Sequence, residues 1–244
     1  MRNWFEFFTY VKQQNFNPST VVDVGVATDT EELYMHFPKA KYLFVEPCVE
    51  FEPSLQNLCQ QYPGSTYMLA AAGATDGEIT INVSPNLGGT SVFRTRESLD
   101  GAWDEKPRTV PMFRIDTMWN ALDLSGPAIL KVDVQGAEIE VLKGAAEVLT
   151  NFEIIILEVG MIEQYVGQPI FHEYVSYLAE RNYVVFDIIH TGYADTGVLA
   201  QIDLVFVKKD SEFRKDQRCL VDYSQVKTRP GYQEFKGIRR NENI

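Results

Sequence analysis

Residues 130–138 read Leu130-Lys131-Val132-Asp133-Val134-Gln135-Gly136-Ala137-Glu138, and their reading decides the fold class. Residues 129–133 form a short, mostly apolar run of the kind that suits a strand covered on both faces. Residues 138–149 then repeat apolar positions at helical spacing. A strand therefore feeds a helix through a short turn that holds Gly136. The same alternation extends outward in both directions. Upstream, strands are expected at 20–24, 42–46 and 67–71, with helices at 29–37, where Pro38 ends the pattern, and at about 49–61. Downstream, strands are expected at 153–159, 183–187 and 204–207, with a helix at 171–181. Strands that alternate with helices imply parallel crossovers and a doubly wound, mostly parallel α/β sheet.

Residues 74–126 interrupt this alternation. Within them, 78–83 alternate like a half-exposed strand, and Pro85-Asn86-Leu87-Gly88-Gly89 is turn-prone, so a β- and loop-rich insert near the mouth of the site is expected. At the start, Trp4, Phe5, Phe8 and Val11 share one helical stripe, which predicts a helix packed on the core. The expected organisation is an N-terminal helix in 1–18, one α/β domain over 19–209 and a basic tail over 210–244.

Bulk properties narrow the partners. The chain has 244 residues, 45% hydrophobic, and a net charge of -12. A surface of that sign repels phosphate backbones, so no nucleic-acid partner is expected. Residues 208–244 hold ten Lys/Arg against six Asp/Glu, so a tail at +4 follows a body at -16. No apolar run approaches the roughly 20 residues of a membrane span. Glu6 breaks the apolar start, and no small-residue cleavage site follows, so a signal peptide is not expected. Cys48, Cys59 and Cys219 are sparse, odd in number and without a paired spacing. They predict neither a disulfide framework nor a zinc site, and they fit a reducing, cytoplasmic location.

Three positions carry the chemistry. Val21-Val22-Asp23-Val24-Gly25 leaves the first strand, and its glycine lets the backbone turn tightly beside a ligand. Asp23, near the strand's carboxyl end, is placed to bond an ammonium group. Glu46 follows Gly25 by 21 residues, near the distance at which an acid holds a ribose diol, and Pro47 stiffens the next turn. Both nicotinamide dinucleotides and S-adenosylmethionine carry that ribose. Gly25-Val26-Ala27-Thr28-Asp29-Thr30 lacks the further glycines of a pyrophosphate cradle. Asp23 and Asp133 together suit a cationic ligand better than a phosphate.

The chain resembles the FkbM family of methyltransferases over roughly residues 20–208. The likeness rests on Val-Val-Asp-Val-Gly (21–25), Phe-Pro-Lys-Ala (37–40), Val-Glu-Pro (45–47), Ile-Asp-Thr (115–117), residues 130–138 with Val-Leu-Lys-Gly-Ala (141–145), and Leu-Glu-Val (157–159). The resemblance implies a Rossmann-like class I methyltransferase with a seven-stranded sheet. It also implies S-adenosylmethionine as donor and transfer mainly to oxygen of small metabolites, sugars or polyketide-like acceptors. One departure stands out. The family's Asp-x-Gly is usually followed by Ala-Asn, a free residue and Gly, whereas this chain has Val26-Ala27-Thr28-Asp29.

On this reading Asp23 and Gly25 hold the methionyl end, Glu46 and Pro47 the ribose side, and residues 71–76, with Ala71 and Asp76, line the adenine. Asp133 orients the cofactor ammonium or takes the acceptor's proton, with the first role preferred. Glu158, His172 and His190 are candidate catalytic bases. No metal is expected. Gly88-Gly89-Thr90-Ser91 is either a contact loop or a plain one. Asp29 and Asp116 are expected as helix caps. Trp103, Trp119 and Tyr165 are expected to pack. The partner is a small-molecule acceptor, and self-association is left open. The competing readings are a catalytically degenerate binding protein, motivated by Val26–Asp29, and a nicotinamide oxidoreductase, motivated by Glu46.

Overall fold

The computed structural model describes residues 1–96, 101 and 104–215. The tail beyond 215, with Cys219, and Trp103 of the insert lie outside the described residues. Seven strands form the main sheet: β1 (Thr20–Val24), β2 (Lys41–Val45), β3 (Thr66–Met68), β7 (Ala128–Val132), β8 (Phe152–Gly160), β9 (Tyr183–Tyr193) and β10 (Leu199–Lys208). Their order is β3-β2-β1-β7-β8-β10-β9, and β10 runs antiparallel to both of its neighbours. The doubly wound, mostly parallel expectation is met. All five residues of β1 and all five of β7 are buried, as continuous apolar runs between two helical layers demand.

The chain builds outward from β1 through β2 to β3 and then returns to β7 on β1's other side. That reversal between β1 and β7 opens a crevice at the strands' carboxyl ends, where ligands bind in open α/β sheets. Two cores flank the sheet. One joins Val22, Leu43, Leu130, Ile155 and Leu157 to α4 (Ile115–Ala121), α5 (Glu138–Lys143) and α6 (Phe171–Ala179). The other joins Val21, Phe44, Ile129 and Ile156 to α1 (Trp4–Gln13), α2 (Glu31–His36) and α3 (Glu52–Gln61). Trp119 packs edge-on against Phe152, with ring centroids 5.2 Å apart, as a packing residue should.

Several elements differ from expectation for physical reasons. The run 67–71 divides: β3 ends at Met68, and Ala71–Ala72 becomes β4 of a second, three-stranded sheet of order β4-β6-β5. Its other members are β5 (Gly77–Val83) and β6 (Lys106–Phe113). α5 stops at Lys143 although apolar periodicity continues. Ala145 and Val148 are buried from turns, and Leu149 from the start of a short 3-10 helix. In α1 the capping box of Asn3 and Glu6 sets the phase so that Phe7, Phe8 and Val11 point inward, while Phe5 is 51% exposed. Asp116 does not cap α4. It sits buried inside that helix, and its Oδ1 accepts from the backbone N–H of Glu147 and Val148. Nor does Asp29 cap α2, whose N-cap is Thr30.

Candidate active site

The site is built on the crossing of the β1 and β7 exits. Asp133 donates its backbone N–H to Val24 O at 3.0 Å, and Gly25 donates to Val45 O at 2.9 Å. Gly25 has φ +76°, and a Cβ there would lie 1.8 Å from the Asp133 carbonyl oxygen. Only glycine fits this crossing. Gly25→Ala is expected to cost about 3 kcal/mol or more of folding stability, through strain and overpacking together. Urea denaturation checks this, and an unchanged midpoint would contradict it.

On one side of the crossing lies a cavity of about 230 Å³. Glu46 and Pro47 line it, with Gly25, Ala27, Phe51, Ala71, Leu87 and Asp133 among its other walls. No Lys or Arg is among the described residues that line it. Glu46 is buried, and its two oxygens accept from the backbone N–H of Ala27 at 3.0 Å and of Cys48 at 2.8 Å. Burial pushes this carboxyl above the ordinary range, and the two N–H donors pull the other way. Ala27 stands in the left-handed region at φ +49°, a conformation that costs a non-glycine residue about 1 kcal/mol. Its bond to Glu46 offsets that strain. Gly88, Thr90 and Ser91 of the insert close the cavity, so this loop reaches the site. Asp76 does not. Its oxygens accept from Arg114 N and Thr117 Oγ1, both at 2.8 Å, which ties it to the start of α4, and it does not line this cavity.

On the other side is a polar cavity of about 380 Å³, lined by Trp4, Ala27, Asp29, Lys131, Asp133, Glu158, His190 and Asp203 among others. Its floor follows from strand register. Val132 pairs with Leu157, so Asp133 and Glu158 follow on adjacent strands. Asp203 pairs with Glu158 on one side and His190 on the other. Four titratable side chains thus stand in a row along the sheet's rim. Trp4 donates its indole N–H to Asp203 at 2.8 Å, which brings the N-terminal helix to the site. Gln135 donates from Nε2 to Asp133 Oδ1 at 2.8 Å and to Glu158 Oε2 at 2.7 Å. Gln201 donates to the other Glu158 oxygen. Burial first, then Asp133, Glu138 and Asp203, push the Glu158 carboxyl well above the ordinary range.

Two further expected site residues are elsewhere. Asp23 is wholly buried beneath the crossing. Its Oδ2 accepts from Thr30 Oγ1 and Tyr34 OH, and its Oδ1 faces Lys131 Nζ at 3.3 Å. It lines neither cavity, so the ammonium contact expected of it is not available. His172 is exposed on α6, away from both cavities, so its candidacy as a base is set aside.

Lys131 is the residue that sequence reasoning passed over. It pairs in register with Asp23, donates to Gly25 O at 2.9 Å and lies 3.7 Å from Asp133 Oδ2. Burial disfavours its charge, but Asp23 and then Asp133 outweigh that and hold the ammonium above its ordinary pKa. The signal was present as opposite charges inside the two central apolar runs. Asp203, a lone acid in the β10 run, gave a similar signal. Tyr165 does more than pack, since its hydroxyl donates to Gln135 Oε1 at 2.7 Å.

Residues 22–185 match the Methyltransferase FkbM domain. The chain belongs to the FkbM methyltransferase family. FkbM domains are S-adenosylmethionine-dependent methyltransferase domains, and this is the activity class of the chain. Among curated proteins no sequence matches it. Solved structures give distant likenesses. Magnesium protoporphyrin IX methyltransferase from Synechocystis PCC 6803, with bound S-adenosylmethionine, is 13% identical with a TM-score of 0.44, over 84% of this chain and 77% of that one. The 1,6-didemethyltoxoflavin-N1-methyltransferase of Burkholderia thailandensis is 11% identical with a TM-score of 0.44, over 85% and 79%. Aeropyrum pernix fibrillarin is 10% identical with a TM-score of 0.42, over 83% and 76%.

The residues present in this FkbM domain fit the cofactor. A buried carboxylate beside small apolar walls suits a nucleoside, and the Gly25–Thr30 turn lacks the further glycines that cradle the pyrophosphate of a nicotinamide dinucleotide. Among the described residues no group of three or more His, Cys, Asp or Glu is arranged to hold a metal ion, and no helix is long and apolar enough to cross a membrane.

Proposed function

We propose that this FkbM protein methylates a hydroxyl of a small molecule, with the cofactor and the acceptor on opposite sides of the Gly25–Asp133 crossing. The observation that carries this reading is that the two cavities share Gly25, Ala27 and Asp133 as a common wall. Glu46, Pro47, Phe51 and Ala71 would hold the nucleoside, and Gly25, Ala27 and Asp133 the amino-acid end. Bound there, S-adenosylmethionine supplies a methyl group activated by its sulfonium. The second cavity would hold the acceptor. Asp133 and Glu158 stand where an acceptor hydroxyl loses its proton, with His190 at the outer end of the same row. Positioning and exclusion of water supply most of the acceleration, since methyl transfer needs an aligned nucleophile more than covalent help. A cytoplasmic location belongs to the same proposal, because Cys48 and Cys59 are free thiols.

Asp29 bears on the degenerate reading. It stands where the family's second glycine is usual, yet it is not among the residues with positive φ. An aspartate sits there without backbone strain, which supports an adapted turn over a decayed one. Asp29→Gly is therefore expected to change S-adenosylmethionine affinity less than about threefold. A gain of tenfold or more, about 1.4 kcal/mol, would favour degeneration. Calorimetric titration of the purified protein tests the whole reading. Micromolar or tighter binding supports it, and no binding would move the reading to a protein that keeps the fold without the activity. Methyl transfer to hydroxyl-bearing but not to amine-bearing acceptors then tests the choice of oxygen.

A further inference from the structure

We infer that Gln135 is a positioning residue: its amide holds Asp133 and Glu158 side by side, so that together they present a single proton-accepting carboxylate to the acceptor. The inference rests on the methyltransferase reading above and concerns how its proton is handled.

The amide is fixed from three directions. Tyr165 OH donates to Oε1 at 2.7 Å, and both protons of Nε2 are used, one on each carboxylate. A flipped amide would turn its oxygen toward the Asp133 carboxylate, so the orientation is set by its partners. The backbone is held too. Gln135 stands at φ +56°, and its carbonyl accepts from Ser91 Oγ at 2.6 Å.

The two carboxylates that share this donor differ in their other neighbours. Asp133 has the Lys131 ammonium 3.7 Å from its second oxygen. Glu158 accepts from the neutral amides of Gln135 and Gln201, and it lies within hydrogen-bonding reach of Asp133 itself. The titratable groups facing the pair are Lys131 on β7, Asp203 on β10, Glu138 on α5 and Tyr165 on the loop after β8, with His190 beyond Asp203. Apart from Lys131 and His190 these are acids, and they favour a proton on the member without a cation, Glu158. Asp133 is left as the carboxylate that takes the acceptor's proton as the new oxygen–methyl bond forms and the sulfur–methyl bond breaks to leave a neutral thioether.

The test uses S-adenosylmethionine and S-adenosylhomocysteine, which differ by the methyl group and the sulfonium charge. A cation bound beside a protonated Glu158 favours loss of its proton. The unsubstituted protein is therefore expected to release protons on binding S-adenosylmethionine and fewer on binding S-adenosylhomocysteine. The affinity ratio of the two should rise with pH. Calorimetry from pH 6 to 8, in buffers of different ionisation enthalpy, reads both quantities.

Glu158→Gln is expected to abolish the difference. Gln135→Ala is expected to shift the rise by about one pH unit, a tenfold change in the ratio at fixed pH. Tyr165→Phe, a milder change that frees the amide without removing it, is expected to shift it the same way by less. Equal weakening of both ligands by Gln135→Ala with an unchanged pH dependence would mean a merely structural role and overturn the inference. So would a ratio that does not vary with pH in the unsubstituted protein. Failure of the unsubstituted protein to bind either ligand would instead sink the methyltransferase reading.

Discussion

Glu46→Ala is expected to weaken S-adenosylmethionine binding at least about 100-fold, which amounts to about 2.7 kcal/mol. Two losses combine. The ribose diol would lose charge-assisted hydrogen bonds, each worth about 1.5–3 kcal/mol. The N–H groups of Ala27 and Cys48 would also lose their acceptor, and Ala27 would keep its left-handed strain without the bond that offsets it. Glu46→Gln retains one acceptor oxygen and should lose about tenfold. Because burial raises the Glu46 carboxyl, affinity in the unsubstituted protein should begin to fall on acidification at a higher pH than an exposed glutamate would give. Calorimetry on all three proteins checks this, with thermal unfolding as the control for folding. Equal affinity in the Ala variant would remove Glu46 from the site.

The second large effect concerns Glu138. Its Oε1 accepts from the backbone N–H of Val134 at 3.1 Å and Gly136 at 3.0 Å, and its Oε2 meets Tyr174 OH at 2.7 Å. Glu138→Ala would orphan all three donors in the core and leave a void, so a loss of about 3–5 kcal/mol is expected. Glu138→Gln has the opposite expectation. Burial pushes the Glu138 carboxyl up to about 7 from the ordinary 4.5, so the folded state holds its proton more tightly than the unfolded chain does. The contribution of this group to stability is fully present below pH 4.5 and is lost as pH rises through 7. A glutamine does not titrate. It keeps the oxygen for both N–H groups, and, like the protonated acid, it meets Tyr174 once that hydroxyl turns from donor to acceptor. The Gln variant should match the native chain near pH 4.5 and exceed it above pH 7, by a margin on the order of 3 kcal/mol. Urea midpoints at both pH values decide the matter, and a Gln variant less stable at pH 8 would refute it.

The sequence disclosed the frame more readily than the site. β1, β7 and β8 were legible because burial on both faces leaves no alternation to misread. β6 was hidden by Pro107 and Pro111. β4 pairs only Met112 and Phe113, so β6 is flanked at both prolines by β5 alone, and its other edge tolerates a missing donor. Glu46, Gly25 and Asp133 were legible because spacing along the chain fixes where strands end. Asp23 was misread because chain position does not reveal the direction of a side chain. One residue before the strand's last, it points down to Lys131 rather than up to a ligand. Gln135 lies within the 130–138 motif, but its role depends on Tyr165 and Glu158, which come to it from other elements.

The small β4-β6-β5 sheet has a core of its own, in which Ile81, Val83 and Val110 pack with Cys48 and Ala71. Arg108 fastens it with two hydrogen bonds to Glu50, at 2.8 and 2.6 Å. One wall of the Glu46 cavity is therefore built by this smaller sheet. Val92 packs against that smaller core, so its exchange is expected to cost the seven-stranded frame little. For directed evolution this makes the insert the natural place to randomise, and the crossing at Gly25 the place to leave alone.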